Sequence, residues 1–195
     1  MKLDMKEIIK LGLNLLLICA VSATLLAFTN GATIDKIMEQ RAIASENDRK
    51  AVLPAAEVFK PMDEAQYAEL SGQFDKLMEV YVGYTGETIV GYVIKTAPGG
   101  YGGPIEITTG LDNDGVVGGV RMGSNHQETP GLGAAAALPG FYEQYNGMDA
   151  LAGITVVKAN PVDNQILAIS GATITSDAMT DGVNMATEVF KSIAK

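Results

Sequence analysis

Between Ile8 and Phe28 every residue is apolar or small except Lys10, Asn14, Ser22 and Thr24. A helix of about 20 residues crosses about 30 Å of hydrocarbon, so this run is long enough to span a bilayer. Backbone in lipid must satisfy its own hydrogen bonds, which makes the segment helical. Lys2, Lys6 and Lys10 stand before or at the start of the run, and Asn30 to Ile34 beyond it carry no charge. Basic residues stay on the cytoplasmic side, so the N-terminus is expected in the cytoplasm and the rest of the chain outside the cell (inner, cytoplasmic) membrane. A cleaved signal peptide has an apolar core of only about 7–15 residues, and lipid attachment at Cys19 would need a small residue where Ile18 stands. The expected organisation is therefore a cytoplasmic N-terminus and transmembrane helix over residues 1–29, a juxtamembrane helix or linker over 30–61, and a domain over 62–195.

Two residue counts narrow the chemistry. Cys19 is the only cysteine and His126 the only histidine. An internal disulfide, a multi-cysteine zinc site and an iron–sulfur cluster are excluded, and no metal site is predicted. The net charge is −9 although three lysines fall within the first ten residues, so the remainder is more acidic still. Such a surface repels phosphate backbones, and nucleic acid is not an expected partner.

Past the anchor, Asp35 to Lys50 reads as helix, bounded by Pro54 and Pro61. Tyr67 to Val80 reads as a helix, or a helix ending in a strand. Glu79–Tyr84 and Thr88–Thr96, rich in Val, Ile and Tyr around Thr85-Gly86-Glu87, form a hairpin pattern. Ile105–Leu111 and Val116–Met122 are two more strands joined by Asp112-Asn113-Asp114-Gly115. That turn is not a calcium loop, because its twelfth position is Gly123 where a bidentate Glu is required. Short strands are expected at Ile154–Lys158 and Gln165–Ile169. Met179, Val183, Ala186 and Phe190 mark an amphipathic helix over Ser176–Ala194. This order of strands, short helices and tight turns predicts a single α+β domain.

Residues 170–176 read SGATITS, between a predicted strand and a predicted helix. Small residues let a ligand approach the backbone, a helix N-terminus attracts phosphate, and Ser170, Thr173, Thr175 and Ser176 supply hydroxyls. Simple helix capping by Thr175 or Ser176 explains the same residues. Gly131, Gly133 and Ala136 match G-x-G-x-x-A, but Thr129-Pro130 precedes them instead of the strand a dinucleotide fold requires. His126 is a candidate acid–base group and Glu128 its partner, yet no nucleophile stands near them in the sequence to complete a triad.

ISGATITS, with ETPGLG about 40 residues earlier, GYGGPIEI before that and one N-terminal span, together resemble the FMN-binding subunits of ion-pumping respiratory complexes, the RnfG/NqrC family. The resemblance covers most of the chain and leans towards the Rnf side. It implies FMN joined covalently, through its phosphate, to the threonine of S/T-G-A-T, here Thr173, by a separate flavin transferase. Ser170, Gly171 and Ala172 of the motif, and Thr175 just after it, are expected to bind the cofactor with Thr173. By the same resemblance the ETPGLG loop lies near the isoalloxazine, with Leu132 packing on it and Thr129 or Glu128 bonding its polar edge; Gly102, Gly103 and Pro104 shape the site. Leu167 departs from the family pattern, which often carries an acidic residue there.

The function so implied is that of an electron carrier, without catalytic residues of its own, in an Rnf-type ferredoxin:NAD oxidoreductase that couples electron transfer to Na⁺ or H⁺ transport. The flavin carries the redox chemistry. Its partners would be the other Rnf subunits, the transferase and the membrane. The alternatives are a subunit of the sodium-pumping NADH:quinone reductase and an anchored scaffold with no cofactor. A second Gly-Ala-Thr-Ile occurs at 31–34; it lacks the preceding serine, and Thr33 is expected to be a chance echo. Cys19 is expected to be an ordinary membrane-buried residue.

Overall fold

The computed structural model of the protein describes residues 5–124 and 126–194; Lys2 lies outside them. By contacts the chain falls into two units, Met1–Ala44 and Ser45–Lys195. The first is helical throughout its described residues, as part of α1 (Met5–Val52). This helix is long and apolar enough to cross a membrane, and its apolar side chains, from Ile8 to Phe28, face outward. The polar interruptions are absorbed within it: the Thr24 and Thr29 hydroxyls donate to the Ala20 and Leu25 carbonyls at 2.8 and 2.9 Å. Hydroxyls bonded back to their own helix lose little in lipid.

The second unit is built on an antiparallel meander of five strands: β1 (Val58–Pro61), β2 (Leu77–Thr85), β3 (Thr88–Thr96), β4 (Ile107–Asp112) and β5 (Val117–Met122), in that spatial order. The β2–β3 hairpin closes on Gly86-Glu87 with Thr85 opposite Thr88, as the sequence suggested. Residues 58–61 form an edge strand within the stretch read from sequence as linker. Pro61 is tolerated because an edge strand has one side free of ladder bonds. Between β1 and β2 lies α2 (Glu64–Gln73), capped by Asp63, whose carboxylate accepts from the Ala65 and Gln66 N–H groups. Of the two readings of Tyr67–Val80, the helix ending in a strand holds: α2 begins three residues earlier than expected and stops at Gln73, and β2 starts at Leu77.

Strand alternation gives the sheet two buried faces. Val80, Ile94, Ile107, Leu111 and Val120 join the main core. The helix α4 (Thr173–Ile193) contributes Met179, Val183, Ala186, Val189 and Phe190 to that core. Each fully buried Val, Met or Phe side chain contributes about 1.5–3 kcal/mol. On the opposite face Val93 packs with Val52 and Leu53, from the end of α1 and just beyond it. The backbone of Val52 comes so close that a Cβ at Gly110 would lie 2.2 Å from its carbonyl oxygen. Only glycine fits under that contact.

A two-stranded parallel sheet, β6 (Thr155–Val157) with β7 (Gln165–Leu167), is tied to α4 by Asn184. The Asn184 side chain accepts from the Ile154 N–H at 3.0 Å and donates to its carbonyl at 2.8 Å. The chain leaves β7, makes one turn and enters α4. That helix starts at Thr173, three residues before the expected Ser176, because the turn ends at Ala172.

Candidate functional site

The turn Ile169–Ala172 is closed by the Ala172 N–H donating to the Ile169 carbonyl at 3.0 Å. Gly171, its third residue, has φ +76°. That left-handed value favours glycine and is what a type II turn requires at this position. Ser176 locks the turn from inside the helix: its hydroxyl accepts from the Ile169 N–H and donates to the Ala172 carbonyl, both at 3.0 Å. Capping by Thr175 or Ser176 is therefore corrected. Both residues are buried within the first turn and a half, and the N-cap Ala172 offers no side-chain bond.

Thr173 is the first helical residue of α4. Its hydroxyl, like that of the exposed Ser170, holds no hydrogen bond among the described residues. The first intrahelical backbone bond is from the Ser176 N–H, so the N–H groups of residues 173–175 are not used by the helix ladder. No acidic side chain sits in this first turn. An uncapped 21-residue helix of this kind places positive potential and free donors at its mouth, which suits a phosphate.

A cavity of about 540 Å³ opens there, lined by Tyr101, Glu128, Thr129, Leu132, Gly133, Gly171, Ala172, Thr173 and Ile174. Its size lies in the range of about 300–1,000 Å³ typical of small-molecule sites. Tyr101, Leu132 and Ile174 are 70%, 43% and 55% exposed, an apolar surface suited to a flat aromatic ligand. Tyr101 and Ile174 were not singled out from the sequence. The signal for Tyr101 was present, as an aromatic residue among glycines in a loop, where no core can bury it.

Glu128 sits at the back of this cavity, 5% exposed. Its Oε2 accepts from the Thr175 hydroxyl at 2.6 Å and its Oε1 from the Gly102 N–H at 3.0 Å. Burial raises the pKa of its carboxyl. The hydrogen bonds from Thr175, Gly102 and Tyr101, with His126 nearby, outweigh burial and hold it below the usual carboxylate value. A Cβ at Gly133 would lie 2.1 Å from Glu128 Oε2 and 2.5 Å from Thr175 Oγ1. The second glycine of the G-x-G-x-x-A pattern thus makes room for this pair.

The sequence-derived candidates converge unevenly. Thr173, Gly171, Ala172, Glu128, Thr129 and Leu132 all border the cavity. Ser170 is exposed on the adjoining turn, and Thr175 is buried behind it against Glu128. Gly102 faces Glu128, whereas Gly103 and Pro104 do not line the cavity. His126 Nδ1 accepts from the Glu128 N–H at 3.3 Å and makes no acid–base dyad with the carboxylate. Leu167 is 40% exposed, with its backbone held by Gln144. Among the described residues no cluster of His, Cys, Asp or Glu suits a metal.

Comparison with known proteins identifies the family. Residues 100–188 match the family of the FMN-binding domain, a span containing every residue of the cavity. The chain is 37% identical to the G subunit of the Na⁺-translocating ferredoxin:NAD⁺ oxidoreductase complex of Acetobacterium woodii, over all of this chain and 97% of that protein. It is 33% identical to the G subunit of the proton-translocating ferredoxin:NAD⁺ oxidoreductase complex of Clostridium ljungdahlii, over 95% and 92% of the two chains. The G subunit of an ion-translocating oxidoreductase complex from Methanosarcina acetivorans is 32% identical over 95% of each chain. The crystal structure of Shewanella oneidensis NqrC shares the fold, with a TM-score of 0.57 at 15% identity over 78% of this chain and 98% of that one. With its long apolar helix and its FMN-binding domain, the chain belongs to the RnfG family, the G subunits of Rnf-type ion-translocating oxidoreductase complexes.

Proposed function

We propose that this chain is the anchored electron carrier of an Rnf-type ferredoxin:NAD⁺ oxidoreductase, with FMN esterified through its phosphate to Thr173. The observation that carries the reading is the placement of Thr173. A threonine hydroxyl without a hydrogen-bond partner among the described residues stands at the open N-terminus of α4, at the edge of an apolar-walled cavity. The free N–H groups of the first turn would hold the phosphate, and Ser170 would add a donor from the turn. Tyr101, Leu132 and Ile174 would flank the ring, and Thr129 would reach its polar edge. FMN, when bound, supplies the one- and two-electron chemistry. The protein positions it and tunes its surroundings.

An unactivated threonine is a weak nucleophile, and both oxygens of Glu128, the carboxylate that lines the cavity, are engaged by Gly102 and Thr175. Attachment by a separate flavin transferase follows, with Ser170 and Gly171 exposed for it. The protein would assemble with the other Rnf subunits in the cytoplasmic membrane, N-terminus inside and flavin domain outside. There it would pass electrons in a reaction coupled to Na⁺ or H⁺ movement. Membranes from the native host test this directly. A band at the mass of this chain that fluoresces under ultraviolet light after denaturing electrophoresis, and that co-purifies with the complex, is expected. A non-fluorescent band from an active complex contradicts the covalent flavin.

A further inference from the structure

Besides the 128–133 stretch, two distant parts of the chain line the cavity. One is the loop around Tyr101, between β3 and β4. The other is the first turn of α4, more than 70 residues later. Among the described residues, one side chain bonds both: Glu128 accepts from Gly102 with one oxygen and from Thr175 with the other. The surrounding backbone is shaped to this arrangement. A Cβ at Gly100 would lie 2.6 Å from Glu128 Oε1, and one at Gly133 would lie 2.1 Å from Oε2. Gly102 itself is an exposed residue, and the Glu128 bond is the one hydrogen bond recorded for its N–H.

We propose that Glu128 is a positioning residue for the cofactor, a two-armed clasp that fixes the Tyr101 wall against the Thr173 base of the cavity. It acts through Gly102 and Thr175 and does not itself bond the flavin. Both of its oxygens are already engaged, and hydrogen bonds to a charged acceptor are the stronger kind. The Tyr101 loop is closed on itself by the Gly100 N–H to the Gly103 carbonyl and by the Ile105 N–H to the Pro98 carbonyl, at 2.8 and 2.9 Å; Glu128 adds the bond that ties it, through Thr175, to α4. This inference deepens the flavin reading, but its first test needs no flavin.

The test uses the full-length chain in detergent, in a Thr173→Ala background that takes up no flavin, and reads backbone amide exchange residue by residue. The Gly102 amide is expected to be protected. Glu128→Ala should speed its exchange roughly tenfold or more, the equivalent of one hydrogen bond to a charged group. Thr175→Val, which removes only the far arm, should speed it several-fold, and Glu128→Gln, which keeps an acceptor oxygen for Gly102, should lie closest to the parent. Protection unchanged in Glu128→Ala overturns the proposal; if that variant does not fold, unchanged protection in Thr175→Val overturns it. In the flavin-loaded protein with Thr173 intact, Thr175→Val should increase quenching of flavin fluorescence by iodide, while Thr175→Ser should restore the parent value. Equal quenching in all three contradicts the clasp. Absence of flavin from Thr173 would defeat the functional reading and leave the exchange result standing.

Discussion

The protein contains Gly-Ala-Thr-Ile twice, and the two copies share no structural environment. Residues 31–34 lie inside α1. There Gly31 has open space around it, and the Thr33 hydroxyl donates to the Thr29 carbonyl one turn earlier at 2.9 Å. Residues 171–174 straddle a turn and a helix start. Gly171 has φ +76°, and Thr173, at an open helix end, carries a hydroxyl with no partner among the described residues. The difference shows that the motif itself has no chemistry. In the first copy the helix consumes the hydroxyl. In the second, the turn closed by Ser176 and the helix mouth leave it free.

The sharpest way to break this contrast is at the threonines. Thr173→Ala is expected to abolish covalent flavin entirely, and Thr33→Ala to leave it at the parent level, read by in-gel fluorescence. Thr33→Ala should also change stability by less than about 0.5 kcal/mol, as for other exposed positions. Next in size is Gly133→Ala, whose Cβ would collide with both Glu128 and Thr175. A loss of about 3 kcal/mol in denaturant unfolding is expected, the upper range for overpacking. The glycines of the two copies should then answer with opposite signs. Gly171→Ala places a side chain at positive φ and 3.2 Å from Leu132 Cδ2, and should cost about 1–2 kcal/mol. Gly31→Ala, in an open helical position, should raise helix stability by up to about 1 kcal/mol. The same denaturation series measures both.

The smallest effect belongs to pH, and it concerns only the second copy. Glu128 has a lowered pKa in the folded protein. Its contribution to stability is therefore complete above the unfolded carboxylate value of about 4.3 and is lost as pH falls through the lower folded value. Glu128→Gln should flatten that part of the stability profile, measured by thermal unfolding in steps from neutral to acid pH. An unchanged slope below about pH 4.3 would remove Glu128 from the account.

Much of this was legible because the signals are local. The apolar run, the Val- and Tyr-rich hairpin and the 3.6-residue period of α4 each lie within one element. The edge strand at 58–61 was not legible: four residues ending in proline carry no alternation, and their pairing with Tyr81–Tyr84 is a tertiary fact. The start of α4 was misplaced because Thr175 and Ser176 resemble caps. Their hydroxyls are instead used elsewhere, that of Thr175 by the distant Glu128 and that of Ser176 by the Ile169 N–H of the preceding turn. The Glu128–Thr175 bond spans 47 residues and leaves no periodic trace. Its one sequence mark is glycine where the backbone must stand aside, at Gly133 and Gly100. That mark is readable only once the carboxylate is in place. The ETPGLG, GYGGPI and SGAT stretches suggested one site because they resemble a family. The structure supplies a physical reason for their company, since Glu128 of the first bonds Gly102 of the second and Thr175, two residues beyond the third.

The central claim is that Thr173, and not its echo at Thr33, bears the flavin. Proteolysis of the protein from the native complex, followed by mass spectrometry of the two threonine-bearing peptides, tests it most directly. The expected result is the mass of FMN less one water on the Thr173 peptide, localised to that residue by fragmentation, and an unmodified Thr33 peptide. An unmodified Thr173 peptide from an active complex, or flavin on any other residue, would contradict it.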